Sequence, residues 1–329
     1  KKPTTTFSVT QVKTLEFDSL ENYVKEHRYP VKLSVLDDKG WSLADEQRHS
    51  LLNKLKESSI PFSEYVKGTI YRGILTGLDK AFVIDAKTKE MLVIEDPKSS
   101  EIIKPYLAGR DIKRYQTPKS NKYLIFTRRG IDIKKYPAIE NYLIRYKEQL
   151  MPKPKDWKGS NWKGRKPGSY LWYEIQDAID YYAEFEKPKI MYLKFQVKTA
   201  FVFDDIGFYP NSAVWFIPTS DKHLLGILNS KIGWFLISNY CTQIKNGYQL
   251  IFRYLSQIPI HKINFSETSD KARYDRMVTL VDQMLELHKQ LTLAKTDHDK
   301  TVIQRQIDAT DRQIDQLVYE LYGLTEEEI

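Results

Sequence analysis

The sequence predicts an α+β fold, a mixed-sheet unit followed by a C-terminal antiparallel helical hairpin with coiled-coil-like packing. Two observations predict it. In the tail, Met277, Val281, Met284 and Leu291 step by 4, 3 and 7, and Ile303, Ile307, Thr310, Ile314, Leu317 and Leu321 step by 4, 3, 4, 3 and 4. That is heptad spacing on two helices, broken by the polar stretch Lys295–Asp299. In the middle, short β-favouring runs alternate with amphipathic stretches and with loops rich in glycine and proline. The division expected is an arm over 1–45, a mixed unit over 46–265 and the hairpin over 266–329.

The elements follow in order. Residues 1–45 are polar, with strand-like runs at Phe7–Val9 and Val31–Leu36 and a short helix near Ser19–Glu26. Asp45–Ser58 reads as a helix with Leu51, Leu52 and Leu55 on one face and Asp45 as N-cap. His49 on it reads as solvent-facing. Val66–Asp85 reads as two strands around a turn built on Gly73 and Gly77, with Thr76, Asp79 and Lys80 at the tip. Tyr136–Leu150 is a helix with Pro137 in its first turn. Strands are expected at Tyr123–Thr127, Leu171–Ile175, Lys189–Phe195, Thr199–Phe203 and Ala213–Ile217. Asp204 and Asp205 suit a turn better than a metal. Leu224–Tyr240 reads as one apolar helix with a polar notch at Asn229–Ser230.

The chain has 329 residues and a formal charge of +8, unevenly placed. Lys104–Lys166 holds 18 Lys/Arg against 5 Asp/Glu, whereas Glu267–Ile329 holds 8 against 14. A basic middle and an acidic tail point to a polyanionic partner for the middle alone. Its densest stretch is Met151–Trp172, with six cations, one acid (Asp156), three tryptophans and Tyr170. Such a loop can follow a phosphate backbone; its plain alternative is a solvated loop anchored by its tryptophans. No apolar run approaches 18 residues, and no signal core opens the chain. A cytoplasmic protein, cut from a longer one, is expected. The single Cys241 forms no internal disulfide.

Catalytic motifs are missing from the sequence: no Asn-Pro-Pro-Tyr or Asp-Pro-Pro-Tyr loop, no Gly-x-Gly turn, no His-Glu-x-x-His pair and no Gly-x-Ser-x-Gly elbow. Asp-x-Lys recurs at Asp96, Asp111 and Asp132, about as often as a lysine-rich chain gives by chance. The chain alone is expected to be non-catalytic.

Several segments resemble one family. They are Gly73–Gly77 with Ala81–Ile84, Ile103–Tyr115 (IKPYLAGRDIKRY), Trp172–Ile175, Phe185–Ile190, Leu225–Lys231 and Ile258–Ile260. Together they resemble the TaqI-like C-terminal specificity domain of restriction-modification methylases. The ending, Ile314–Ile329, is similar to the closing helix of the single-chain type IIG enzymes. The resemblance runs from about Trp41 to the end. It implies a target recognition domain for double-stranded DNA, followed by long helices. It also implies an upstream N6-adenine methyltransferase domain carrying S-adenosylmethionine, and in some relatives a Mg-dependent nuclease. No cofactor or metal is expected in this chain and no membrane partner. Alternatives are a specificity subunit acting in trans, an independent nuclease and an RNA-binding protein.

Methylation inside a duplex needs a flipped adenine, so a second domain must grip the DNA with cations for phosphates and donors for base edges. The phosphate candidates are Arg110, Lys113, Arg114, Lys119, Lys122, Arg128, Arg129, Lys153, Lys155, Lys158 and Lys163. The base-reading candidates are Arg165, Lys166, Lys194, Gln196, Lys198, Lys245 and Tyr248.

Overall fold

Two four-stranded sheets stand at the centre, and the chain passes between them several times. The computed structural model describes residues 5–12, 14–33, 36–37, 40–41, 46–68 and 70–329. The first sheet runs Phe201–Asp204, Lys189–Leu193, Val214–Ile217, Tyr71–Arg72, all antiparallel. The second runs Tyr209–Pro210, Ile103–Leu107, Lys122–Ile125, Val83–Asp85, with the pairing of Tyr209–Pro210 to Ile103–Leu107 parallel. The fold is thus mixed α+β.

The first sheet separates two cores. Side chains alternate across a strand, so Ile190, Tyr192, Phe201 and Ile217 enter a core shared with helices, while Met191, Val202, Val214 and Phe216 enter a core shared with the second sheet. This antiparallel sheet is therefore apolar on both faces. Strand Lys189–Leu193 carries one cation, Lys189, which lies opposite Asp204 and pairs with it at 2.6 Å, both fully buried.

Val66–Asp85 is not the hairpin expected from its glycines. Tyr71–Arg72 joins the first sheet, Val83–Asp85 the second, and a helical turn, Asp79–Phe82, lies between. Gly73 crosses where the sheets meet: a Cβ there would sit 2.1 Å from the Asn211 carbonyl oxygen. Asp204 behaves as a turn residue, accepting from the amides of Ile206, Gly207 and Phe208 at 3.0–3.3 Å. The segment after it leads not into a hairpin partner but into the second sheet. Leu171–Ile175 is a turn, not a strand. Its Glu174 is buried and accepts from Gly130 and Leu171 amides at 2.7 and 2.8 Å.

The apolar stretch from residue 222 is two helices, Lys222–Asn229 and Lys231–Tyr240. The break falls at the polar notch, where Ser230 caps the second helix by accepting from the Gly233 amide. Asn229 brackets Phe201: its Oδ1 accepts from the Phe201 amide at 3.1 Å and its Nδ2 donates to the Phe201 carbonyl at 2.9 Å. Tyr136–Leu150 is helix Pro137–Ile144 and a further turn, Lys147–Leu150.

The tail is the expected pair of helices, Thr268–Leu293 and Asp297–Leu321, folded back on each other. The heptad positions form the seam: Met277, Val281, Met284, Ile307, Ile314, Leu317 and Leu321 are buried. A second stripe (Leu280, Leu287, Val318, Tyr319) widens the apolar face, and both helices share the core of the 222–240 pair. Gly226 permits the close approach; a Cβ there would meet Met277 Sδ at 2.5 Å. Helix Glu46–Glu57 packs Leu52 and Leu55 into the same core, and its Lys54 pairs with Glu328 at 2.5 Å. Its expected cap, Asp45, lies outside the described residues. The N-terminal arm is hairpin Thr6–Val9 with Tyr29–Lys32, around helix Leu20–His27.

Candidate nucleic-acid interface

A groove of about 650 Å³ opens at one end of the second sheet. Lys80, Arg110 and Lys122 line it with Tyr106, Asn211 and Ala213. Strand register explains the clustering. Lys122 begins its strand opposite Tyr106 on one side and Asp85 on the other. Arg110 sits in the tight turn Gly109–Asp111 that follows strand Ile103–Leu107, held by the Asp111 carboxylate accepting from the Ala108 amide at 3.2 Å. Lys80 lies in the helical turn before Val83. Among the described residues, Arg110, Lys113, Lys119, Lys122 and Arg128 carry no ion pair. Arg128 lies over the Tyr182 ring, 4.9 Å from its centroid. Lys80 was not among the sequence candidates, because it sits outside the basic middle third.

The basic loop has an anchor at its base. Arg165 was expected to read bases; it is buried, and its guanidinium donates five hydrogen bonds to main-chain carbonyls. They run to Leu150 (2.8 Å), Thr76 (3.1 Å), Glu174 (2.7 Å), Leu171 (3.1 Å) and Trp172 (3.0 Å). No donor remains for a base edge, because the fork geometry of guanidinium is fully used inside. Burial draws its pKa down to about 10. The Arg165 backbone also bridges Pro152, closing residues 153–164 into a loop. Arg129, expected on phosphate, donates to the Gln176 carbonyl at 2.7 Å and lies 3.5 Å from Glu174. It therefore braces the loop's base.

Beyond this anchor the cations are outward. Lys155, Lys158 and Lys166 are exposed and Lys153 is half-buried. Lys163 pairs with Glu148 at 3.3 Å, both well exposed, a contact worth little in water. Trp157 and Trp162 meet edge to face at 5.0 Å, and Trp162 Nε1 donates to the Met151 carbonyl. These tryptophans pack on the loop itself.

Arg114, another phosphate candidate, is also committed. Its Nε and Nη2 donate to the Asn229 carbonyl at 3.1 and 2.6 Å, and its Nη groups donate to both Asp311 oxygens at 2.8 and 2.5 Å. Burial favours the neutral form, yet the hydrogen bond to Asp311 and its charge override it and raise the pKa. The acidic tail thus neutralises body cations that face it: Asp311 with Arg114, Asp282 with Lys222 and, at 3.8 Å, Asp315 with Lys231.

Five base-reading candidates come together in a third sheet, with order Phe195–Gln196, Gly247–Gln249, Thr242–Ile244. Lys194 and Lys198 flank its first strand, Lys245 is at the hairpin tip, and Gln196 is paired with Tyr248. Gln196 is buried and committed: Nε2 donates to the Leu193 carbonyl and Oε1 accepts from the Ala200 amide. Tyr248 is half-buried, edge-on to Trp234 at 5.5 Å. Lys194, Lys198 and Lys245 carry no ion pair among the described residues. This sheet adjoins the groove, since Leu193 and Ala213 line the groove and the Lys194 amide donates to the Ala213 carbonyl. The sequence carries a mark of this region: residues 222–266 contain no Asp or Glu.

Among the described residues no three His, Cys, Asp or Glu side chains come together as a metal-holding group. No helix of these is long and apolar enough to cross a membrane.

The geometry agrees in place with a family. Residues 104–260 match the model of the TaqI-like C-terminal specificity domain, a span that includes Arg110 and Lys122 of the groove, the basic loop and the third sheet. Comparison with curated protein sequences gives no match. Among solved structures, the type IIL restriction-modification enzyme MmeI, determined in complex with DNA, is similar in fold. It has 14% identity over 82% of this chain and 33% of its own, with a TM-score of 0.53. The type IIG restriction endonuclease BpuSI has 11% identity over 90% of this chain and 36% of its own, with a TM-score of 0.46. The chain thus spans about a third of the length of the enzymes it matches. Residues 104–260 are thus similar to the TaqI-like C-terminal specificity domain.

Proposed function

We propose that this chain recognises a specific sequence in double-stranded DNA, as the C-terminal part of a bifunctional restriction endonuclease and N6-adenine methyltransferase. The observation that carries it is the arrangement of unpaired cations. Within a specificity-domain segment, Arg110 and Lys122 line one groove, the third sheet beside it carries Lys194, Lys198 and Lys245, and cations facing the helical tail are neutralised. Unpaired cations supply phosphate contacts and salt-dependent affinity. Adjacent exposed polar side chains supply base discrimination.

Catalysis belongs to an upstream methyltransferase domain of the same polypeptide, which would hold S-adenosylmethionine, and to a Mg-dependent nuclease if the protein has one. No residue of this chain is assigned to either group. The site of action is the cytoplasm.

The test is selection of a randomised duplex library by the full chain at two salt concentrations. One short enriched motif is expected, with affinity falling linearly in log–log form as salt rises. Equal binding to single-stranded and duplex competitors, or binding indifferent to salt, would overturn the reading.

A further inference from the structure

We infer that the hairpin Thr242–Gln249 is a ribbon that enters the DNA major groove, and that Asn246 and Gln249 read base edges there. This rests on the duplex-recognition reading and names its reading element. A two-stranded β-ribbon fits the major groove, which is about 12 Å wide. The hairpin turns through two residues, Lys245 and Asn246, between the paired Ile244 and Gly247. Both tip residues are exposed, and their side chains make no hydrogen bond among the described residues. The Gln249 side-chain amide is likewise uncommitted among them.

One face of the ribbon is turned outward, and register identifies it. Thr242 lies opposite Gln249, which lies opposite Phe195, so the three share a face. A Cβ on Gly247 would point at the Phe195 ring (2.7 Å) and Val197 (3.0 Å), so Gly247 and its partner Ile244 are on that face too. Phe195, Val197 and Ile244 are 39%, 51% and 39% exposed. The opposite face holds Tyr248 against Trp234 and the buried Gln196, which fix the ribbon to the body. The outward face thus offers the Gln249 amide, which matches the adenine edge, and apolar carbons, which match the thymine methyl, with the Asn246 amide at the tip. With no carboxylate from residue 222 to 266, nothing along the ribbon repels phosphate.

The tip carries a further mark. Lys245 has φ +54°, a left-handed conformation that favours glycine. The two-residue turn requires this backbone conformation, and a lysine holds it at a local cost in stability.

The experiment is the duplex selection repeated with this chain carrying Asn246→Ala or Gln249→Ala, each checked for a native circular dichroism spectrum. Each variant is expected to relax the preference at one base pair of the motif by about tenfold to a hundredfold, the range of a lost bidentate contact. Non-cognate affinity should fall less than cognate affinity. A wild-type motif recovered unchanged by both variants would overturn the ribbon and leave duplex recognition standing. No enriched motif with the wild-type chain would overturn both.

Discussion

Arg114 and Asp311 are 197 residues apart in sequence and bound to each other through two hydrogen bonds of 2.8 and 2.5 Å. The same guanidinium holds the Asn229 carbonyl, so one side chain ties the Gly109–Asp111 turn region, the helix break at Ser230 and the last long helix together. Arg114→Ala leaves the half-buried Asp311 carboxylate unpaired and the Asn229 carbonyl with only the long 3.4 Å bond from Thr199 Oγ1, and should cost about 2–3 kcal/mol, read as a lower midpoint in urea. Its phosphate role can be separated from this. If Arg114 touched DNA, the slope of log affinity against log salt would shrink by about 1 on its removal. The expectation is an unchanged slope for Arg114→Ala and a smaller one for Lys113→Ala.

Arg165→Lys should not rescue Arg165→Ala. Five carbonyls at the base of the 151–172 loop share one planar guanidinium, and an ammonium with three donors cannot span them. Each substitution is expected to cost about 3 kcal/mol or more, since it strands buried acceptors. Limited proteolysis reports the local effect: cleavage within residues 153–164 should rise before the rest of the chain is cut.

Stability should fall on mild acidification. His223 is buried with both ring nitrogens unpartnered, and burial draws its pKa from 6.5 to about 4. The Tyr274 ring stacks on it and Asp221, which accepts from the Tyr65 hydroxyl, lies nearby, with His261 opposing its charged form. In the unfolded chain the imidazole protonates first, near 6.5. The stability that depends on a neutral ring is therefore complete above pH 6.5 and is lost as pH falls towards 4. His223→Phe should flatten the melting temperature between pH 7 and pH 4.5. A residual slope remains from His261 and His288, whose pKa values burial also lowers. An unaltered slope would exclude His223 as its source.

Lys245→Gly should stabilise the protein and weaken its grip on DNA. Glycine accepts a φ of +54° without the Cβ clash, a gain of about 1–2 kcal/mol, of which its added chain entropy takes back about 0.5–1 kcal/mol. A raised unfolding midpoint together with a smaller salt slope is the expected pair of results.

Much of the chain was legible in order. The heptad seam, the strands at 189–193, 201–204 and 214–217, and the helix over 46–57 follow from periodicity and propensity. The failures share a cause. Val66–Asp85 looked like a hairpin because local turn signals do not say which sheet each strand joins. Leu171–Ile175 looked like a strand because its residues favour β structure, but Leu171 is exposed, only Ile175 of its apolar residues is buried, and the segment turns around Arg165 and Glu174 instead of entering a ladder. Leu224–Tyr240 looked continuous because a break within apolar sequence is settled by distant partners, here Phe201 and Arg114, which bind Asn229 just before the Ser230 cap.

The sequence alone determined the α+β class, the hairpin tail, the basic middle and the resemblance to a specificity domain, because composition and spacing are properties of neighbouring residues. Only the tertiary structure decided which cations are free. Arg114, Arg129 and Arg165 looked no different from Arg110 in a list of charges, yet their donors are filled by carbonyls and carboxylates from distant segments. A guanidinium contributes to a surface only after its buried partners have been satisfied, and those partners are set by how the chain folds back on itself.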